Sequence, residues 1–465
     1  LSLKPEGWRC TAVQASMLSL PLSLEGVGGA LNLDKKKMSE GKDLIRYFCM
    51  PCKPTKANGG RTRNLPSDAP EKWELFKTYC IRDVDVEKQI RSKLAKFPIP
   101  DREQELYCMD QRINDRGIMV DRELISHAVA CDLLYKEAAS KRAYEISGLE
   151  NPNSVSQLKD WLNEKGIEVD SLAKAAVEEL VEKTEGEVSE MMKLRLSMSK
   201  TSVKKYEAME RSVCPDGRVH GLLQFYGANR TGRWAGRLVQ IHNLPQNHME
   251  DLELARSIVK EGRYDLVELL YDSTPEVLSE LIRTAFVAKP GCRFIVSDFS
   301  AIEARVMGYL AGEGWVMEEF RGAGKIYEQT ASKMFHIPIK EITKGSPYRA
   351  RGKVASLACQ YGGAEGALVS MGALNFVEEE ELKGLVQSWR TANPHIVNYW
   401  YEIDGAVKAA VKERKMTTVG RVTVYYQSGM LKIALPSGRV LSYVRPRMTV
   451  NRFGSESVSY EGVGT

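Results

Sequence analysis

The stretch SPYRARGKVASLACQYGG, residues 346–363, carries both limits of a helix in its own composition. Ser346 suits the N-cap, Pro347 the first helical position and Gly362–Gly363 the stop. Within those limits Arg349, Lys353, Leu357 and Tyr361 recur every four residues, so they follow one slowly drifting face with both cations in its first half. The amino end of a helix favours phosphate through its dipole and free N–H groups, and Arg and Lys add charge-assisted bonds to phosphate oxygens. This face can therefore carry a phosphate chain. The plainer alternative is an amphipathic helix whose cations are simply solvated.

About fifty residues earlier lies RFIVSDFSAIEARV, 293–306. Its first half alternates, with Phe294, Val296 and Asp298 on one face, and predicts a strand ending at Asp298. SAIE then reads as a helix start in which Ser300 caps and Glu303 reaches back. A carboxylate sharing a face with two apolar side chains is costly to desolvate, so Asp298 needs a structural partner or a metal. An Asp at a strand end, held ahead of an Arg-x-x-x-Lys helix, can fix a metal against the phosphates that the helix binds, which is the chemistry of nucleotidyl transfer.

Composition narrows the classes. The 465 residues are enough for two to four domains, and 43% hydrophobic with 27% charged residues is the balance of an ordinary globular protein rather than a disordered one. A net charge of +5 is modest and does not by itself announce nucleic acid. The nine cysteines are odd in number and scattered, which fits a reducing compartment. Only Cys49 and Cys52 have C-x-x-C spacing, and they lack a second pair or nearby His to close a zinc site, so they read as loop cysteines. No apolar run approaches the ~20 residues of a membrane span, and the expected location is cytoplasmic. The chain opens on Leu1 and closes on YEGVGT, which reads as a fragment.

Along the chain, residues 1–100 hold short apolar segments, the basic loop CKPTKANGGRTRNLP and then a single amphipathic helix, PEKWELFKTYCIRDVDVEKQIRSKL, 70–94. Pro98 and Pro100 in FPIPDRE mark a linker. Residues 101–211 read as helical, including SVSQLKDWLNEKG. Lys193, Arg195, Lys200, Lys204 and Lys205 gather near the end of that region, although such a run is usually a solvated helix face. Between 217 and 249 there is no acid, while Arg218, Arg230, Arg233 and Arg237 alternate with Phe225, Tyr226 and Trp234. Cations and aromatics without counter-acids suggest a polyanion. GAGKI at 322–326 is not a phosphate loop: position 319 is Glu where Gly is needed, and Ile follows Lys325 in place of Ser or Thr.

Taken in order, these segments resemble DNA polymerase family A, the polymerase I-like group, in the form found in bacterial viruses. SDFSAIEARV and RARGKVASLACQYGG are similar to its motifs A and B, NRTGRWAGRLVQIHNLP to its primer-template motif, and YCIRD to the last motif of its 3'-5' exonuclease. The resemblance covers nearly the whole chain. It implies an α/β multidomain fold: the C-terminal part of a ribonuclease H-like exonuclease domain over 1–100, followed over 101–465 by a right-hand polymerase domain. That domain would divide into thumb and primer-template region at 101–250, palm with motif A at 251–320, fingers with motif B at 321–400, and an incomplete palm at 401–465.

Carried over residue by residue, the resemblance implies that Asp298 ligates two Mg2+ ions, with Phe299 adding its backbone carbonyl. Arg349 and Lys353 would hold the triphosphate, Lys353 also donating a proton to the leaving pyrophosphate. Tyr361 would pack near the templating base and Glu303 would exclude the ribose 2'-hydroxyl. Tyr327 stands where cellular members have a triphosphate-touching His, and Leu357 where many relatives have an aromatic residue. Thr231, Arg233 and Asn243 would meet the primer-template minor groove together with His242, which replaces a usual Gln. Lys200, Thr201 and Lys204 would grip the duplex backbone. Tyr79 and Asp83 would be an exonuclease remnant, its other carboxylates expected ahead of Leu1. The second magnesium carboxylate is expected beyond the last residue, so the fragment is expected to be inactive. The partners implied are primer-template DNA and deoxynucleoside triphosphates, in the host cytoplasm, with no membrane and with any replisome proteins unspecified. A duplex-binding protein without chemistry is the competing class. A single-subunit RNA polymerase is disfavoured, because Glu303 would obstruct a 2'-hydroxyl and exonuclease remnants lie upstream.

Overall fold

A computed structural model describes residues 4–33, 38, 40–200, 203–451 and 453–462. The chain divides into two units, one holding the residues up to Arg9 with Ile99–Ala228 and Gly232–Ile295, the other Cys10–Pro98, Asn229–Thr231 and the chain from Val296 onward. The chain passes between them at Pro98–Ile99, inside the proline-bearing stretch.

In the second unit the first elements are α1 (Thr11–Met17), α2 (Leu24–Ala30), α3 (Gly41–Cys49) and α4 (Pro70–Leu94). The last spans the whole of the expected 70–94 helix: Pro70 starts it, Glu71 lies in the first turn and Arg91 and Lys93 in the last, each matched to the helix dipole. Its Tyr79 is buried with Leu44 and Phe48 of α3, against Trp73 and Phe76. Gly41 admits no side chain, because a Cβ there would run into the Tyr79 ring. Between α3 and α4 the basic loop is tied by a reciprocal pair: Asn58 N donates to Thr55 Oγ1 at 3.2 Å and Thr55 N to Asn58 Oδ1 at 2.8 Å.

The other unit follows with α5 (Asp101–Arg116), β1 (Ile118–Met119), α6 (Arg122–Ser147), α7 (Val155–Glu164), α8 (Lys174–Lys183), α9 (Gly186–Met198), α10 (Lys204–Ser212), β2 (Arg218–Val219), β3 (Leu223–Ala228), β4 (Arg233–Gly236), α11 (Leu252–Lys260), α12 (Tyr264–Leu270) and α13 (Thr274–Leu281). Helices dominate 101–211 as expected, and Ser154 caps α7 by accepting from Gln157 N. One core packs Leu124 and Ile125 of α6 with Tyr206 and Met209 of α10, Val259 of α11 and Leu278 of α13. The buried Tyr206 hydroxyl donates to Leu278 O at 2.8 Å. A smaller core joins Ala143, Leu158, Leu162, Met191 and Met192. The strands here form two antiparallel pairs, β1 with β2 and β3 with β4.

Back in the second unit come α14 (Ile302–Ala311), α15 (Gly314–Arg321), α16 (Ile326–Phe335), α17 (Pro347–Cys359), α18 (Glu365–Ser370), α19 (Leu382–Ala392) and α20 (Pro394–Lys412), then β5 (Thr417–Val419), β6 (Val422–Gln427), β7 (Met430–Ala434), β8 (Val440–Val450) and β9 (Glu456–Glu461). The five strands form one antiparallel meander in sequence order. Val422, Val424 and Leu431 on one face pack on Ala406, Ala410 and Val411 of α20. Met430 and Val444 pack instead with Leu18, Leu20 and Leu94 of the first helices. Among the described residues no helix is long and apolar enough to cross a membrane.

Two local expectations fail. Residues 293–298 form no strand, and Ile295 and Val296 are 85% and 90% exposed. Alternation supplies the side-chain pattern, but a strand exists only when its N–H and C=O groups pair, and none of the described strands pairs with this segment. Ser300 does not cap the next helix either. Ala301 occupies the N-cap with φ of +49°, and Ser300 O and Oγ accept instead from Arg305 Nε and Nη2 at 2.9 and 3.2 Å.

Asp121 fixes the start of α6. It accepts from Leu124 N at 3.2 Å and meets Arg256 Nη2 at 2.6 Å and Lys260 Nζ at 2.8 Å. Burial raises its pKa, but the hydrogen bonds and positive charge from Lys260, the Leu124 N–H and Arg256 outweigh it and hold the carboxyl below the usual range. A depressed pKa contributes stability that is present above the unfolded value, ~3.9, and is lost as pH falls through the folded one. Asp121→Ala should therefore cost about 2 kcal/mol at pH 7 in chemical denaturation, through the lost cap and the loss of the carboxylate from Arg256 and Lys260, of which Lys260 keeps Glu123 at 3.4 Å. The deficit should shrink as acid protonates the native carboxylate.

Candidate active site

Helix α17 keeps the amino limit that its sequence sets, with Ser346 at the N-cap and Pro347 at its first position, but it closes at Cys359, short of the expected Gly362–Gly363 stop. Ser346 makes no side-chain capping bond, so the start rests on Pro347 and backbone geometry. Gly352, Val354, Ala355, Ser356, Ala358 and Cys359 are buried. Lys353 is exposed, and Arg349 and Leu357 lie at the boundary of the opposite face. Tyr361 falls past the helix end and is 60% exposed.

The buried face meets α16 at close range. A Cβ at Gly352 would stand 2.7 Å from Tyr327 O and 2.9 Å from Ala331 Cβ, distances that only glycine avoids. Beyond this point Ser356 Oγ donates to Thr330 Oγ1 at 3.2 Å, and Thr330 Oγ1 to Ile326 O at 2.7 Å. The approach sets Arg349 against α16. Its Nε donates to Glu328 Oε1 at 2.6 Å, and its Cζ lies 5.7 Å from the Tyr327 ring centroid. The two charged side chains are largely covered, 24% exposed for Arg349 and 15% for Glu328. Glu328 is the residue that sequence reading missed, because the pair spans twenty-one positions and two helices. The available signal was Gly352, a glycine between two cations inside a helix.

Asp298 is exposed and makes no hydrogen bond or ion pair among the described residues, in place of the covered strand-end carboxylate that alternation implied. Phe299 beside it is 74% exposed. Glu303 lies in the first turn of α14. Among the described residues no three His, Cys, Asp or Glu side chains gather as a metal site, so one carboxylate and one neighbouring carbonyl do not by themselves fit a pair of magnesium ions. A cavity of about 550 Å³ opens beside Tyr361 and Gly362, lined also by Met307, Tyr399, Trp400 and Asp404. These α20 aromatics were not singled out in the sequence.

Of the cations near 193–205, three are engaged internally. Lys200 pairs with Glu276 at 3.1 Å, Lys205 Nζ donates to Val239 O at 2.8 Å and Arg195 Nη1 to Asn153 O at 3.2 Å. Lys204, at the start of α10, is exposed, and Thr201 lies outside the described residues. In the acid-free window the aromatics are structural. Phe225 and Tyr226 are buried in β3, and Trp234 packs edge-on to Phe225 at 5.1 Å. Trp234 Nε1 donates to Asp110 Oδ1 at 2.8 Å, and burial pushes that carboxyl up despite its hydrogen bonds. Arg218 Nη1 donates to Arg116 O and Gly117 O at 3.0 and 3.2 Å. Thr231 in the turn and Arg233 at the start of β4 are exposed, as are His242 and Asn243 on a short 3-10 turn.

Tyr79 and Asp83 sit one turn apart on α4 and are hydrogen-bonded. Burial, then Asp83, pushes the Tyr79 hydroxyl up to about 12. Asp83 Oδ1 is buried without a hydrogen-bond partner. Cys49 ends α3 and Cys52 contacts Arg61 O, and both thiols are free.

The chain is mostly helical, with small antiparallel sheets. It belongs to DNA polymerase family A, whose family model matches residues 134–429. It is 55% identical to the DNA polymerase of Bacillus phage SP02 over 466 residues, covering 99% of this chain and 72% of that one. It is 26% identical to DNA polymerase I of Pseudomonas aeruginosa over 343 residues, covering 69% of this chain and 34% of the relative. In fold it is similar to the POL domain of Pol1 from M. smegmatis, solved in complex with DNA primer-template and dNTP, with a TM-score of 0.53 and 19% identity over 93% of this chain and 64% of that one. The match thus spans about a third of the length of the Pseudomonas aeruginosa enzyme and about seven tenths of the phage one.

The helix contact makes one clear demand. Gly352→Ala should destabilise the chain by about 1–3 kcal/mol, since its methyl must displace the α16 backbone. Thermal melting at matched pH tests this, with Gly384→Ala, where the structure leaves open space for a Cβ, as the control.

Proposed function

We propose that this chain is the greater part of a template-directed DNA polymerase of a bacterial virus, a nucleotidyltransferase that adds deoxynucleotides to a primer 3' end in the host cytoplasm. The observation that carries the reading is α17, which holds Arg349 beside α16 and leaves Lys353 exposed one turn later, while the chain belongs to DNA polymerase family A. In this reading 101–250 is the thumb and primer-template region, 251–320 and 401–465 contribute palm, and 321–400 is the fingers. Arg349 and Lys353 bind the triphosphate, with Tyr327 and Leu357 beside them, and Lys353 holds the proton given to the leaving pyrophosphate. Glu303 limits the sugar to deoxyribose and Tyr361 lies near the templating base. Thr231, Arg233, His242 and Asn243 follow the minor groove, while Lys204 and, more weakly because of Glu276, Lys200 meet the backbone; Thr201 is assigned with them from sequence alone.

Magnesium supplies charge neutralisation for the phosphates when bound, with Asp298 and the Phe299 carbonyl as its ligands from this chain. Two divalent ions ~3.5–4 Å apart need more than one carboxylate between them. Residues 1–465 alone are therefore proposed to bind duplex without extending it. Residues 1–100 are read as part of an exonuclease domain in which Tyr79 and Asp83 act with carboxylates not supplied among the described residues.

Fluorescence anisotropy with primer-template should give affinity that falls steeply with salt, since phosphate contacts release counterions. Arg233→Ala should weaken it several-fold without sequence preference. A flat salt response would sink the nucleic-acid reading. Gel-based primer extension with magnesium and all four deoxynucleoside triphosphates should show no product from residues 1–465, and robust extension would mean that the carboxylates have been placed wrongly.

A further inference from the structure

The contact between Arg349 and Glu328 goes beyond charge pairing. Glu328 reaches the guanidinium through Nε alone, and among the described residues the two terminal nitrogens of Arg349 make no hydrogen bond. An Arg held at Nε presents its terminal nitrogens as a planar fork, which matches two oxygens of a phosphate. The holder is itself fixed. Glu328 is largely covered, and α16, on which it stands, is pressed to α17 at Gly352 and tied by Ser356 and Thr330. Tyr327, adjacent in sequence, contributes its ring near the guanidinium.

We infer that Glu328 is a positioning residue for triphosphate binding, holding Arg349 through Nε so that its terminal nitrogens face the phosphate oxygens. The inference rests on the assignment of α17 to triphosphate. Its charge consequence separates the two cations. The Arg349–Glu328 pair is neutral as a unit, so Arg349 acts by directed hydrogen bonds. Lys353, exposed and without a partner among the described residues, acts as a point charge. Loss of either residue removes one positive charge, and loss of Arg349 also leaves the Glu328 carboxylate unpaired, so both should change the salt dependence of binding.

The test is calorimetric titration of inorganic tripolyphosphate and of a deoxynucleoside triphosphate into the full 465-residue chain and its variants, with melting temperatures taken alongside. Glu328→Ala should weaken binding by about tenfold, the scale expected when an Arg–phosphate contact loses its orientation. Glu328→Gln, which keeps an acceptor oxygen for Nε, should recover to within about threefold of the parent. In an Arg349→Ala background, Glu328→Ala should cause no further loss, and relief of the unpaired carboxylate should leave binding equal or tighter. Equal or tighter binding by Glu328→Ala would overturn the inference, because the carboxylate would then only compete with phosphate for the arginine. So would a further loss in the Arg349→Ala background, which would show Glu328 acting by supporting the fold. If the parent binds neither ligand, the assignment of α17 fails and the positioning role with it.

Discussion

The close approach of α16 and α17 at Gly352 organises the candidate nucleotide face. Hydrogen at this position lets one helix rest on the backbone of the other, and any larger group forces them apart. That contact decides where Arg349 stands, because a long side chain follows its helix. It also explains why Glu328 meets Arg349 rather than water. Ion pairs on a free surface contribute little, since both side chains must be ordered and the solvent screens them. A pair set between two locked helices avoids most of that ordering cost, so its geometry rather than its strength is the useful property.

How much was legible depended on how local the physics was. Helix α4 was readable across its whole length, and the start of α17 from Ser346 and Pro347, because helix-start preferences act within a few residues. The strand at 293–298 was misread because strand formation is decided by a partner that no local pattern reveals. The Ser300 cap was misread because Ala301 takes a left-handed conformation that residue type does not advertise. In the basic window, composition could not distinguish aromatics that stack on bases from aromatics that fill a hairpin. Trp234 settles on Asp110, more than a hundred residues earlier. Lys200 and Lys205 looked available until Glu276 and the Val239 carbonyl were seen beside them. Family resemblance named candidate residues, whereas packing decided which of them are already occupied.

The β3–β4 hairpin shows how a buried carboxylate can serve a surface. Asp110 also accepts from Asn114 Nδ2 at 3.1 Å, and Asn114 is tied in both directions to Leu223, accepting from its N and donating to its O at 2.9 Å each. These bonds anchor the start of β3 while Trp234 anchors β4. Gly227 sits where a Cβ would collide with Ala235, and Tyr226 adopts φ of +55°, which bends the strand at that point.

The extended segment ahead of α14 has a bearing on handling the protein. Phe294, Ile295 and Val296 are exposed with backbone groups outside any sheet, which is the composition and state that template strand addition between molecules. Arg293 and Asp298 flank this apolar run, and flanking charges of this sort act as gatekeepers against aggregation. Replacing Asp298 by a neutral residue, the obvious way to probe metal binding, removes one of the two. A preparation of such a variant that has lost function therefore has to be checked for dispersity, by light scattering at the assay concentration, before the loss is assigned to chemistry.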